Sequence, residues 1–179
     1  MNRRKLILGS IASGVFIGSG AAWLGIEQSQ EPLDIDFALS NLSKLMKQNL
    51  TTTGEWSLYQ VFTHCAQSVE YSMLGYPEHK SDIFKNTVGK AAFSLFSSKR
   101  KMTHALDEAI PGAPNFSNEE NIADAFERFK KSLIDFKMHE GVLAPHFAYG
   151  QLTKQQYEMA HVMHFNNHLQ EIEVTNVLS

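Results

Sequence analysis

Hydrophobic positions recur every three or four residues along most of the chain, which is the period of an amphipathic helix. Capping boxes of Ser117 with Glu120 and of Thr153 with Gln156 mark the starts of the last two helices. No stretch alternates as a strand does, and residues 50–54 predict a turn. The predicted helices cover, approximately, residues 34–49, 55–74, 81–100, 118–139 and 153–175. The pattern therefore predicts an all-α bundle of four or five helices around one apolar core.

The N-terminal segment differs from the rest of the chain. Arg3, Arg4 and Lys5 precede an uncharged run that reaches Ile26. As an anchor, a run of about 20 residues can span a bilayer and leave the basic cluster in the cytoplasm. As a signal peptide, the paired arginines resemble a twin-arginine export signal, and the many glycines and serines of the run favour this interpretation.

Both interpretations place the body of the protein outside the cytoplasm, in the periplasm or on the outer face of the inner membrane. Membrane contact is then expected only through residues 1–26. A cytosolic protein with an apolar N-terminal helix fits the composition of this segment less well. The predicted organisation is a signal or anchor over residues 1–26, a linker over 27–33 and a helical body over 34–179.

Composition excludes several classes of protein. The chain has 179 residues, of which 43% are hydrophobic and twelve are Phe, so it can bury a core and is not a disordered protein. The net charge of −3 and the lack of a basic patch argue against nucleic-acid binding. A single cysteine, Cys65, excludes an internal disulfide and a multi-cysteine metal site. A metal in this chain must therefore be held by histidine and carboxylate groups.

The segment His161-Val-Met-His-Phe-Asn-Asn-His168 carries the strongest candidate chemistry. His164 and His168 are four residues apart and project from one helix face, so both can reach one divalent ion. A third ligand must come from another element, and His64 on the second helix is the best candidate. Spacing alone also allows His161 to take part, and equally allows a polar helix face turned to water.

The remaining histidines are expected to be less important. His146 lies in a structured loop and could approach the site, since loops often carry function. His79, His104 and His139 lie in predicted loops or at helix ends, and we expect them to be incidental, solvated residues. Substitution of His79 or His104 is therefore expected to leave metal binding intact.

Several segments together resemble a known superfamily. The sequences THCAQSVEYSMLGYP, IPGAP and HFNNHLQEI are similar to a bacterial branch of the DinB-like metal-binding bundles known only as a domain of unknown function. The resemblance covers about residues 34–173. It implies an up-down-down-up four-helix bundle and a divalent metal, zinc or nickel, held by His64, His164 and His168, with His161 outside the triplet. Asn167 departs from the branch, which often has a histidine there.

Two functions are compatible with these residues. The first is a metal-dependent hydrolase or thiol transferase acting on a small molecule, because an ion held by three imidazoles can activate water or a thiol. Gln67, Glu70 and Tyr71 are the candidates for proton handling or substrate orientation. The histidines form no H-E-x-x-H pattern, so metalloprotease chemistry is not indicated. The second is a non-catalytic exported module that binds a metal or small ligand. The sequence leaves open whether the protein is a monomer or a homodimer.

Overall fold

A computed structural model describes residues 30–116 and 121–175. The residues described are mostly helical, as the sequence predicted, and the N-terminal segment of residues 1–26 lies outside them. The helices are α1 (Ile35–Leu45), α2 (Leu58–Leu74), α3 (Asp82–Phe84), α4 (Lys90–Lys99), α5 (Ile122–Met138) and α6 (Lys154–His168), with a π-helical segment (Lys85–Gly89) that joins α3 to α4. The predicted third helix is thus one continuous helical stretch with a π-helical segment within it.

Side-chain caps fix the starts of the helices that build the bundle. The predicted capping box of Thr153 and Gln156 opens α6, and a second box of Ser57 and Gln60 opens α2. Helix α2 therefore begins at Leu58, three residues after the predicted start. The predicted start of α5 was wrong: its cap is Asn121, whose side chain accepts two backbone N–H groups, while residues 117–120 lie outside the described part of the chain.

The core lies where α1, α2, α5 and α6 pack against one another, and α2 has its most extensive contact with α5. Phenylalanine rings connect the three longest helices: Phe62 and Phe129 stack at 6.5 Å between centroids, and Phe129 meets Phe165 edge-on at 5.0 Å. All three side chains are almost completely buried. Each contributes about 1.5–3 kcal/mol relative to an exposed position, so the bundle has an apolar core independent of its histidines.

A short antiparallel pair of strands closes one end of the bundle. Strand β1 (Leu50–Thr52) pairs with β2 (Ile172–Val174), with Leu50 opposite Val174 and Thr52 opposite Ile172. The expectation of no strands was therefore wrong, and so was the prediction that the last helix continues to about residue 175. Helix α6 ends at His168, and a 3-10 turn (Leu169–Glu171) leads into β2. The backbone groups of β2 form their hydrogen bonds with β1. The 3-10 turn places Glu171 beside His168, the last residue of α6.

The loop between α5 and α6 is held against the π-helical segment. A Cβ atom on Gly89 would lie 1.9 Å from the carbonyl oxygen of Ala148, so only glycine permits this close approach of two backbones. Within residues 30–116 and 121–175, no helix is both long and apolar enough to cross a lipid bilayer.

Candidate metal centre

Three histidines converge between α2 and α6. His64 comes from the second turn of α2, and His164 and His168 from the last two turns of α6. The Nε2 atoms of His64 and His164 are 3.0 Å apart, and one ring nitrogen from each of the three residues lies within 4.8 Å of the others. The structure therefore brings together the three residues that the sequence proposed as ligands, and these three could hold a metal ion.

The spacing of the nitrogens fits a shared ion. Two imidazole nitrogens bound to one zinc ion at 2.0–2.1 Å are about 3–3.4 Å apart in ordinary geometries. The Nε2 atom of His168 is buried and has no hydrogen-bond partner among the described residues. A buried lone pair without a partner is unfavourable, and a metal would supply the missing partner. The Nδ1 atom of His64 also lacks a partner in the described chain, so no neighbour fixes the tautomer of that ring.

Glu171 fixes the orientation of His168. Its Oε1 atom accepts a 2.8 Å hydrogen bond from Nδ1 of His168, and both side chains are buried. The proton thus resides on Nδ1, and Nε2 presents its lone pair to the cluster. The role of Glu171 was not predicted from the sequence, because the last helix was expected to continue through this residue. The H-x-x-E spacing at 168–171 was the available signal.

The three imidazoles are held in their neutral form. Burial, followed by the nearby histidines, lowers the pKa of His64 and His164 well below the usual range. Burial lowers the pKa of His168 to about 4. At neutral pH, all three rings therefore carry lone pairs, which is the state that binds a metal. His164 is the only one of the three that is partly exposed, and it gives the cluster contact with the outside.

Aromatic rings cover one side of the cluster. The ring of Trp56 lies parallel to that of His168, with centroids 6.1 Å apart, and meets His64 edge-on at 4.9 Å. Phe116 also meets the Trp56 ring edge-on, with centroids 5.1 Å apart. Trp56 falls within the predicted range of the second helix, but it precedes the Ser57 cap and belongs to the buried core. These rings exclude water from the side of His64 and His168 that they cover.

His104 is not the incidental loop residue that the sequence suggested. Its ring lies 4.9 Å from that of His164 and 5.4 Å from that of His168, measured between centroids. Burial is the main reason that its pKa falls to about 4. The side-chain amide of Asn167 donates a 3.3 Å hydrogen bond to the backbone carbonyl of His104. The expectation failed because the path of a loop is not encoded in a helical period.

The other histidines lie elsewhere. His161 makes a 3.1 Å hydrogen bond through Nε2 to the Ser72 hydroxyl, and its ring packs on Phe136, so it is outside the group of three. His146 accepts two backbone N–H groups at Nδ1 and stacks on Tyr149, so its contacts belong to the loop between α5 and α6. His79 is exposed, as expected. His139 caps the end of α5.

The three residues proposed for catalysis, Gln67, Glu70 and Tyr71, differ in their contacts and do not converge as the three histidines do. The carboxylate of Glu70 accepts two hydrogen bonds from Arg128 of α5, at 2.6 and 2.9 Å. The ring of Tyr71 packs against Tyr76 at 5.8 Å. Gln67 is buried one turn after His64 on α2 and is therefore the candidate nearest to the ligands along the helix.

The comparisons with known proteins identify a family. No curated protein and no solved structure matches the chain. The family described as "Protein of unknown function (DUF1569)" matches residues 28–175, which include every histidine discussed above. This agrees with the expected resemblance to a domain of unknown function, whereas membership of the DinB-like superfamily stays a prediction. The chain belongs to the DUF1569 family of proteins of unknown function.

Proposed function

We propose that this protein binds one divalent metal ion through Nε2 of His64, His164 and His168 and uses it in a hydrolysis or group-transfer reaction on a small molecule. The observation that carries the proposal is the convergence of three neutral imidazoles whose ligand nitrogens lie within 4.8 Å of one another. Zinc and nickel are the ions that the DinB-like resemblance implies, and imidazole is a suitable ligand for both. When bound, the ion supplies Lewis acidity that activates water or a thiol at neutral pH.

The chain's own residues would prepare this site in three ways. Glu171 holds the His168 ring in one tautomer and makes its Nε2 a better donor. Trp56 shields His64 and His168 from water, which strengthens electrostatic interactions inside the cluster. His164 is partly exposed, so a small substrate would approach from its side.

A second candidate function is a metal-binding module without catalysis. Two carboxylates that could serve as a general base already accept hydrogen bonds within the protein, and this favours the second candidate. Glu70 accepts from Arg128, and Glu171 accepts from His168. A general base is required for most hydrolytic reactions, but Glu70 is paired with Arg128, and Glu171 is buried on the Nδ1 side of His168, away from the Nε2 atom that would bind the ion. Gln67 can orient a substrate but cannot remove a proton.

One experiment separates these functions. The metal-free protein, the protein loaded with zinc or nickel, and a His64→Ala variant would be assayed on a panel of esters, amides and thiol acceptors. Turnover that requires the metal and disappears in His64→Ala supports the enzyme. Stoichiometric metal without turnover supports the non-catalytic module, and a wild-type protein that binds neither metal would contradict both.

We also propose a helix topology for the bundle and a cellular location for the protein. The packing of α1, α2, α5 and α6, with one ligand on α2 and two on α6, supports a DinB-like up-down-down-up arrangement. The Arg3-Arg4 pair and the apolar run to Ile26 support export or anchoring, with the body in the periplasm or on the outer face of the inner membrane.

A further inference from the structure

His104 approaches the cluster from outside the bundle. It lies in the segment without regular secondary structure that follows α4, whereas the other three histidines lie on helices. Its Nε2 atom is buried and has no hydrogen-bond partner among residues 30–116 and 121–175. A polar nitrogen of this kind is costly to leave without a partner, so its position requires an explanation.

The hydrogen bond at the other ring nitrogen determines what Nε2 can do. Nδ1 of His104 lies 2.6 Å from the carbonyl oxygen of Ala105, and a carbonyl can only accept. Nδ1 therefore carries the proton, and Nε2 carries a lone pair. His168 is in the same state, since its Nδ1 donates to Glu171. Two neighbouring rings thus each present a buried Nε2 atom with a free lone pair.

The ring separations match those of imidazoles that share an ion. With metal–nitrogen distances of 2.0–2.1 Å, two imidazoles on a tetrahedral ion have centroids about 5 Å apart. The separations among His64, His164 and His168 are 4.9–5.1 Å. Those from His104 to His164 and His168 are 4.9 and 5.4 Å, so His104 matches this spacing towards the two histidines of α6.

We propose that His104 is a fourth protein ligand, which joins His64, His164 and His168 through Nε2 when the ion binds. This inference rests on the proposed metal centre. The group of nitrogens within 4.8 Å of one another contains only the other three histidines, so the loop has to move slightly inward to complete the coordination. The partly exposed His104 side chain and the absence of regular structure around it allow that movement.

Asn167 is the residue that positions this loop. It lies on α6 between His164 and His168, and its amide donates to the His104 carbonyl at 3.3 Å. Gln170 in turn donates to the Asn167 side chain, also at 3.3 Å. A ligand held through one side-chain hydrogen bond can leave without unfolding a helix. His104 would therefore occupy the coordination position in the resting protein and release it to an incoming substrate, because an open position is what distinguishes a catalytic site from a closed one.

The test uses the full chain loaded with Co²⁺, whose visible bands shift when a ligand of the ion is exchanged. Wild-type protein, His104→Ala, Asn167→Ala and the exposed control His79→Ala would be compared, with Co²⁺ affinity measured by chelator competition. We expect the wild type and His79→Ala to share one spectrum that does not change with pH, and His104→Ala to give a shifted spectrum that changes with pH, because water would replace the fourth imidazole. The affinity of His104→Ala should fall by about 100-fold or more and that of Asn167→Ala by about 10-fold, since loss of a ligand exceeds loss of a supporting group.

The results distinguish a failure of the fourth-ligand inference from a failure of the proposed three-histidine metal centre. If His104→Ala binds Co²⁺ with the wild-type spectrum and affinity, the fourth-ligand inference is wrong and a three-histidine centre remains. If the wild-type protein does not bind Co²⁺, both proposals are wrong. Circular dichroism of the metal-free proteins checks folding. If His104→Ala does not fold, His104→Gln takes its place, and an unchanged spectrum there would overturn the inference.

Discussion

Replacement of Glu171 by Gln should weaken metal binding without weakening the fold. The carboxylate lies 2.8 Å from Nδ1 of His168, and the two side chains are 3% and 0% exposed, so water screens little of their interaction. Gln keeps the shape of the side chain but removes the negative charge that makes His168 a stronger donor. Loss of such a supporting carboxylate costs about 10–100-fold in metal affinity, which is about 1.4–2.7 kcal/mol.

The metal-free protein should respond in the opposite direction. Burial is the main cause of a raised Glu171 pKa, and Oε2 of this carboxylate has no partner among the described residues. Gln at this position therefore removes a poorly solvated charge, and we expect an equal or higher melting temperature without metal. If Glu171 only supported the fold, its replacement by Gln would lower the melting temperature of the metal-free protein.

The assay is competition for zinc between the protein and a chromophoric chelator at fixed pH, combined with thermal unfolding of the metal-free proteins. Glu173→Gln is a matched control, because this glutamate is two residues away on β2 and exposed. It should leave zinc affinity unchanged. A Glu171→Gln variant with wild-type affinity would refute the reasoning, as would equal losses of affinity in both variants.

Three further predictions address other parts of the molecule. Burial lowers the pKa of His161 to about 3, so the folded state keeps it neutral while the unfolded chain takes up a proton below about pH 6.5. The free energy of unfolding therefore falls as the pH decreases from 6.5 towards 3, and the loss is about 2 kcal/mol at pH 5. Urea unfolding at pH 8 and pH 5 measures it. The difference between the two pH values should be about 2 kcal/mol smaller in His161→Gln than in the wild type. Gly54→Ala should lower zinc affinity, because the new Cβ would lie 2.0 Å from Oε2 of Glu171; unchanged affinity would show that Glu171 tolerates displacement. Replacement of Arg3 and Arg4 by lysine should block export of a reporter fused after the body if the route is the twin-arginine pathway, whereas unaffected export would favour another route or a plain anchor.

The main helices could be predicted because their signals are local. The capping box at Thr153 and the apolar period of α6 place His164 and His168 on one face without any knowledge of the tertiary structure. His64 could be paired with them because its neighbours one turn away on the second helix, Gln60, Gln67 and Ser68, are polar, although the helix is otherwise mainly apolar. The convergence of the three rings in the structure follows from the packing of α2 on α6.

The remaining parts of the site depend on contacts between distant segments. Leu169 to Val174 continues a helix-compatible pattern, but β2 forms because Leu50–Thr52 offers it a partner far away in sequence. Strands of three residues carry no usable period. Glu171 and His104 reach the cluster through a 3-10 turn and a loop, so their roles became visible only once the path of the backbone was known.

Elemental analysis of the purified body is the most direct test of the metal centre. After loading with zinc and removal of free ion, the account predicts one equivalent of metal in the wild type and in His161→Ala, whose ring bonds to Ser72 instead of facing the cluster. His64→Ala, His164→Ala and His168→Ala should each lose the stoichiometric metal while remaining folded, because the apolar core is independent of these residues. Full metal retention in His64→Ala, or none in the wild type, would contradict the account.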